Sequence, residues 1–138
     1  MNKAFLIALK EYGEKGIEGQ RNNPKIVKYF QEAGFSGVSD DDVAWCAAFV
    51  NWVLLKAGLK GTASMRARSF LKFGEDTKTP QIGDVVVLWR NREDGPSGHV
   101  GFFLKDTPKS VFILGGNQDN AVNIKEFSKE QLLGYRKY

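Results

Sequence analysis

The stretch from Asp40 to Gly58 is apolar at almost every position between its aspartates and its glycine. Only Asn51 and Lys56 interrupt the run. A helix that is apolar around most of its circumference cannot lie on a surface with one greasy stripe, so other elements must enclose it. Three aspartates, Asp40, Asp41 and Asp42, can cap the free N–H groups at its start and suit the positive end of its dipole, and Gly58 supplies the stop. At about sixteen residues such a helix is too short to cross a bilayer. Cys46, the single cysteine of the chain, stands near the first turn. The field at a helix N-terminus stabilises a thiolate there, which is the nucleophilic form.

Length and composition limit what can accompany this helix. A chain of 138 residues that is 42% hydrophobic and 26% charged predicts one domain, over residues 1–138, with a core that needs no staples. One cysteine excludes an internal disulfide, and one histidine beside it cannot furnish a common zinc site, so neither a metal nor another cofactor is expected. The net charge of +4 favours approach to polyanions such as nucleic acid, teichoic acid or an acidic cell wall, but it is scattered without a run of five basic residues, so nucleic acid is not expected and a solvated surface tuned for solubility is the preferred reading. Ala4 to Leu9 run straight into Lys10 and Glu11 without a small-residue cleavage site. That pattern predicts synthesis in the cytoplasm without a signal peptide and no stable membrane insertion.

Phe5, Leu6, Leu9 and Tyr12 recur at helical spacing and predict a first helix with that face on the core. A polar loop follows, in which Asn23 caps and Pro24 opens a second helix to about Ala33, with Ile26, Val27 and Phe30 inward. The amides of that loop, Gln20, Asn22 and Asn23, are candidates to line a cleft beside Cys46. After Gly58 a short helix is expected from about Met65 to Phe73. From Pro80 the pattern becomes that of strands: a turn at Gln81 to Asp84, then Val85 to Trp89, His99 to Leu104, Ser110 to Leu114 and Val122 to Ile124. A polar loop over Gly115 to Asn120 and a return of Gly134 to Tyr138 to the sheet complete the reading. Helices first and an antiparallel meander second make an α+β fold.

His99, the single histidine, opens a strand, and Gly101 leaves space on the same face of that strand. A thiol at a helix start and an imidazole at a strand start form the pair a cysteine nucleophile and its base require. A third group should hold the other ring nitrogen. Asn117, at the end of the neighbouring strand, is the choice, with Gln118 and Asp119 close behind. Gln118 and Trp45 are assigned to the substrate groove, to which Trp52 and Trp89 are further aromatic candidates.

Four segments now stand in order: Trp45-Cys46-Ala47-Ala48-Phe49, Ile82-Gly83-Asp84-Val85-Val86-Val87, Gly98-His99-Val100-Gly101 and Leu114-Gly115-Gly116-Asn117-Gln118. Together they resemble the NlpC-type and CHAP (cysteine, histidine-dependent amidohydrolase/peptidase) cell-wall enzymes of the papain-like superfamily, and within them a small phage- and bacterium-borne branch. The resemblance covers roughly residues 17–138. It implies a papain-like fold with the nucleophile helix packed on an antiparallel sheet, and hydrolysis of an amide bond in peptidoglycan, in the stem peptide or at the sugar–peptide junction. Cys46 carries over as nucleophile and His99 as base. Many CHAP enzymes carry Glu two residues before Asn at this strand end; here those positions are Gly115 and Asn117, so the carboxylate is absent. Thiolate attack needs oxyanion donors, for which the Cys46 N–H is one candidate and, from the polarity and expected position of its loop, an amide of the Gln20 to Asn23 loop is the other. Peptidoglycan is the expected partner, reached after holin-dependent lysis or by secretion, with a cognate immunity protein as a second partner and a monomer as the working state. Two other readings remain: an inactive papain-like module that binds wall fragments or a protein, and a cytosolic cysteine protease.

Overall fold

The structure is a computed structural model, and it describes residues 2–15, 23–35 and 45–138. Its described elements are three α-helices, α1 (Lys3–Lys10), α2 (Pro24–Glu32) and α3 (Cys46–Lys56), followed by a 3-10 helix (Ala67–Lys72) and six strands. The strands are β1 (Glu75–Thr77), β2 (Val85–Trp89), β3 (Gly98–Asp106), β4 (Ser110–Gln118), β5 (Ala121–Ser128) and β6 (Leu132–Lys137), and a single 3-10 turn lies between the last two. They form one antiparallel sheet in the order β1-β6-β2-β3-β4-β5. The architecture is α+β, as the alternation of patterns along the chain requires.

Helix α3 is enclosed as its composition demands. Every residue from Cys46 to Leu54 is buried, and Gly58 ends the helix with a φ of 81°. Val85, Val87, Val100 and Phe102 cover α3 from the sheet, while Phe5, Ile26, Tyr29 and Phe30 cover it from the other helices. The opposite face of the sheet carries a smaller cluster built on Val86, Leu88, Phe103, Ile113 and Tyr135. This two-sided burial explains why β2 reads as an unbroken apolar run rather than an alternating one.

Asn51, the polar interruption in α3, is 2% exposed and fully engaged. Its amide nitrogen donates to the carbonyls of Ala47 (3.1 Å) and Ser64 (2.9 Å), and its oxygen accepts from the N–H of Thr62 (2.8 Å). The residue therefore ties the loop after α3 to the helix that precedes it. A buried amide with these partners carries no desolvation deficit, which is why it can sit inside an otherwise apolar helix.

Three expectations are corrected. On α1 the buried face is Ala4, Phe5 and Ala8, whereas Leu6, Leu9 and Tyr12 are exposed. The two alanines let the helix backbone approach the core closely, and Glu11, on the same buried side, accepts a hydrogen bond of 2.8 Å from the Tyr29 hydroxyl. On α2 the inward residues are Ile26, Tyr29 and Phe30, with Val27 half-buried. The third correction concerns Gly115 to Asn120, where strand β4 continues to Gln118 and a two-residue turn at Asp119 and Asn120, both at positive φ, leads directly into β5. The capping expected of Asp40, Asp41 and Asp42 falls outside the described residues; α3 itself opens at Cys46 after Trp45.

Gly116 is needed where β4 passes under α3. A Cβ there would lie 2.7 Å from Trp45 Cζ3 and 2.8 Å from Phe49 Cβ. Gly116→Ala is therefore expected to destabilise the fold by about 1–3 kcal/mol through overpacking, read as a lower urea midpoint with unchanged m. An unchanged midpoint would contradict this packing.

Candidate active site

Cys46 is the first residue of α3, and His99 lies one residue into β3. Both are nearly buried, at 4% and 5% exposure. The His99 side chain and the N–H groups of Val100 and Ala47 lie about the thiol and favour its charged form. Burial pushes the thiol pKa up, but the charge and hydrogen bond of His99, together with the two backbone donors, outweigh it and hold the pKa below the ordinary thiol range. The sign follows: thiolate persists to lower pH than in a free cysteine. Alkylation of Cys46 by iodoacetamide should accordingly follow a pH profile whose midpoint lies below that of a model thiol, the rate declining as pH falls through it. A midpoint at the ordinary position would refute the coupling to His99.

The other side of the imidazole is set by Gln118. His99 Nε2 lies 2.9 Å from Gln118 Oε1. Which proton sits where follows from the far end of the amide. Gln118 Nε2 is 3.0 Å from the Ile113 carbonyl, and 2.8 Å and 3.0 Å from the main-chain and side-chain oxygens of Asn123. Carbonyls only accept, so this end must be the NH2 group and the end facing His99 must be the oxygen. His99 Nε2 therefore carries a hydrogen and donates it, which leaves Nδ1 as the ring nitrogen free to accept a proton. The ring of Phe127, with its centroid 5.1 Å from that of His99 and tilted by 30°, packs against the imidazole.

Asn117, the sequence choice for this orienting position, does not occupy it. The ladder between β4 and β5 pairs Gly115 with Asn123 and Gln118 with Ala121, so one strand has two intervening residues and the other has one. The extra residue makes a β-bulge, and Asn117 sits there at a φ of 57°, a left-handed conformation that asparagine tolerates better than most residues. The bulge turns Gln118, rather than Asn117, onto the face that carries Gly115, Gly101 and His99. Gly115 gives the Gln118 side chain its room, since a Cβ there would stand 2.5 Å from Oε1.

Trp45 is likewise corrected. It is wholly buried, packed near Tyr29 and Phe49 and over Gly116, and its indole N–H reaches Asn120 Oδ1 at 3.4 Å. It belongs to the core rather than to a groove. Trp52 is also buried, while Trp89 lines a cleft. Asn23 caps α2, accepting from the Lys25 N–H at 2.9 Å, and its amide donates to the Lys15 carbonyl. Gln20 and Asn22 lie outside the described residues. Asn123 was missed by sequence reasoning. Its donation from Nδ2 to the Gln118 carbonyl at 3.0 Å makes the pairing with Gln118 reciprocal, and no spacing rule could have found it across a bulged ladder.

Each member of this pair lines a cleft of its own. One, of about 570 Å3, is lined by His99, Gln118, Asn117, Trp89 and Phe127; the other, of about 380 Å3, is lined by Cys46, Arg66, Ser97 and Gly98; Arg90 borders both. The thiol opens onto one cleft and the imidazole onto the other. Among the described residues no group of three or more His, Cys, Asp or Glu side chains could hold a metal, and no helix is long and apolar enough to cross a membrane.

The CHAP domain family matches residues 38–117, a span that includes Cys46, His99 and the bulge in β4. The chain belongs to the CHAP family. Its relationship to peptidoglycan-related hydrolases follows from that membership. The fold has a solved counterpart in a Staphylococcus aureus subsp. aureus Mu50 protein described as similar to lipoprotein, NLP/P60 family, with 18% identity and a TM-score of 0.53. The alignment covers 97% of this chain and 40% of that one, so the CHAP chain spans less than half of the larger protein. This likeness concerns the fold alone, a papain-like architecture with helix α3 set against an antiparallel sheet. No match was found among curated proteins.

Proposed function

We propose that this CHAP domain hydrolyses an amide bond of peptidoglycan by thiolate attack, through an acyl-enzyme. The observation that carries the proposal is the chain of contacts from the Cys46 thiol through His99 to Gln118, in which the amide orientation fixes the tautomer that a general base must have. Cys46 attacks the carbonyl and His99 takes the thiol proton at Nδ1. The same proton then passes to the leaving amine, and water brought in along a cleft is activated by His99 to clear the acyl group. The part first given to Asn117 passes to Gln118, which stabilises the imidazolium through its oxygen without itself being protonated. The N–H groups at the start of α3 face developing negative charge, and the Cys46 N–H is the proposed oxyanion donor.

Purified peptidoglycan of several wall chemotypes, incubated with the protein and with its Cys46→Ala variant, tests this reading. Fragments identified by mass spectrometry that are absent with the variant establish a cysteine amidase or peptidase, and their new termini name the bond. The absence of cleavage from every wall type would sink it.

A further inference from the structure

Two arginines line the cleft that holds Cys46, and two more, Arg68 and Arg92, belong to the contacts of the loop beside it. Arg68 is wholly occupied: its guanidinium donates to the carbonyls of Ser97 (2.9 Å), Glu93 (2.8 Å) and Arg92 (2.7 Å), clamping the loop between β2 and β3. Arg92 pairs with Asp94 at 3.7 Å. Arg66 and Arg90 make no side-chain hydrogen bond or ion pair among the described residues, yet both line the cleft. Among its described lining residues there is no carboxylate.

Both free arginines are mounted on fixed backbone. Arg66 follows the loop that Asn51 ties to α3, and its own N–H donates to Ser64 Oγ at 3.1 Å. Arg90 directly follows β2, with its N–H on the Ser97 carbonyl at 3.2 Å, inside the loop that Arg68 clamps. Nor does either cation serve the thiolate, whose stabilisation comes from His99 and the N–H groups of Val100 and Ala47. Two exposed positive groups carried on held backbone, unused by the fold and by the thiolate, are left for a ligand. A planar carboxylate is the group that a guanidinium binds best, through paired N–H donors.

We propose that this cleft is a subsite for a free carboxylate on the residue next to the scissile amide, held by Arg66 and Arg90. The proposal rests on the peptide-hydrolase reading above and narrows its substrate class to acidic peptides. The other cleft lacks this bias: there Lys125 is paired with Asp119 at 2.9 Å, and Glu126 adds a further negative group.

The test uses two synthetic stem peptides that differ only in whether that carboxyl is a free acid or a primary carboxamide. Calorimetric titration of each into the Cys46→Ala protein measures binding without turnover. The acid should bind about tenfold more tightly at low salt, and Arg66→Gln or Arg90→Gln in that background should reduce the preference towards unity. Equal affinity for the two peptides, or no binding of either, overturns the subsite. Turnover by the unmodified protein is scored separately. Cleavage of both peptides at equal rates with equal affinities removes the subsite and keeps the hydrolase, whereas selective binding of the acid with no cleavage of any wall fragment keeps the subsite and removes the hydrolase.

Discussion

Cys46→Ala and His99→Ala should each lower the turnover of peptidoglycan fragments by about 10⁴-fold or more, and the double variant should be no slower than the worse of the two. Residues that act as one unit lose their joint contribution when either is removed, so their effects do not add. The structure makes these two a unit, since His99 holds the thiol pKa down. His99→Ala consequently has a second signature, an upward shift in the pH at which Cys46 alkylates, because burial is then opposed only by the backbone donors. Both side chains are nearly buried, so thermal denaturation must accompany the kinetics to show that the variants remain folded. Additive losses, or activity retained by either folded variant, would assign the chemistry to other residues.

Gln118→Ala should reduce kcat by about 10²-fold, at the lower end of what a positioned acid–base group contributes, with little change in KM. The same loss is expected from Gly115→Ala, which touches neither Cys46 nor His99. Its new Cβ would stand 2.5 Å from Gln118 Oε1 and 3.1 Å from Cδ, displacing the amide from the imidazole. Agreement between a deletion of the amide and its displacement by a methyl group would separate orientation from bulk. Asn123→Ala should cost less, about tenfold, since Ile113 still receives one hydrogen of the amide. Gln118→Ala with undiminished kcat would leave His99 working without orientation and remove the residue from the mechanism.

The parts of this protein legible in its sequence are those governed by local rules. The Asn23 cap with Pro24 after it, the turn before β2 and the run Val85 to Trp89 follow from capping, fixed φ and β-branching, and the enclosure of α3 follows from its unbroken apolar composition, although its start at Cys46 does not follow from the aspartates before it. The buried face of α1 departs from the spacing of its large apolar residues because close approach to the core selects Ala4 and Ala8 over Leu6 and Leu9. The orienting amide was misplaced by one residue because a two-residue period holds only while the ladder is regular. Asn117 and Gln118 are both amides, and only the bulge decides which of them faces His99. Arg66 and Arg90 gave no signal at all, since their significance lies in what Arg68, Arg92 and Asn51 have already engaged.

The bulge in β4 also bears on how this chain can tolerate changes of length. Removing Asn117 would restore regular alternation, with Gly116 opposite Val122 and Gln118 still opposite Ala121. Gln118 would then stand two residues from Gly115 and remain on the same face of the sheet. A one-residue deletion at this point is thus neutral for the direction of the amide, whereas the same deletion between Ile113 and Gly115 would turn it away from His99. The strand can carry its functional amide at either of two sequence distances, so related chains that place it one residue earlier could build the same contact without the bulge.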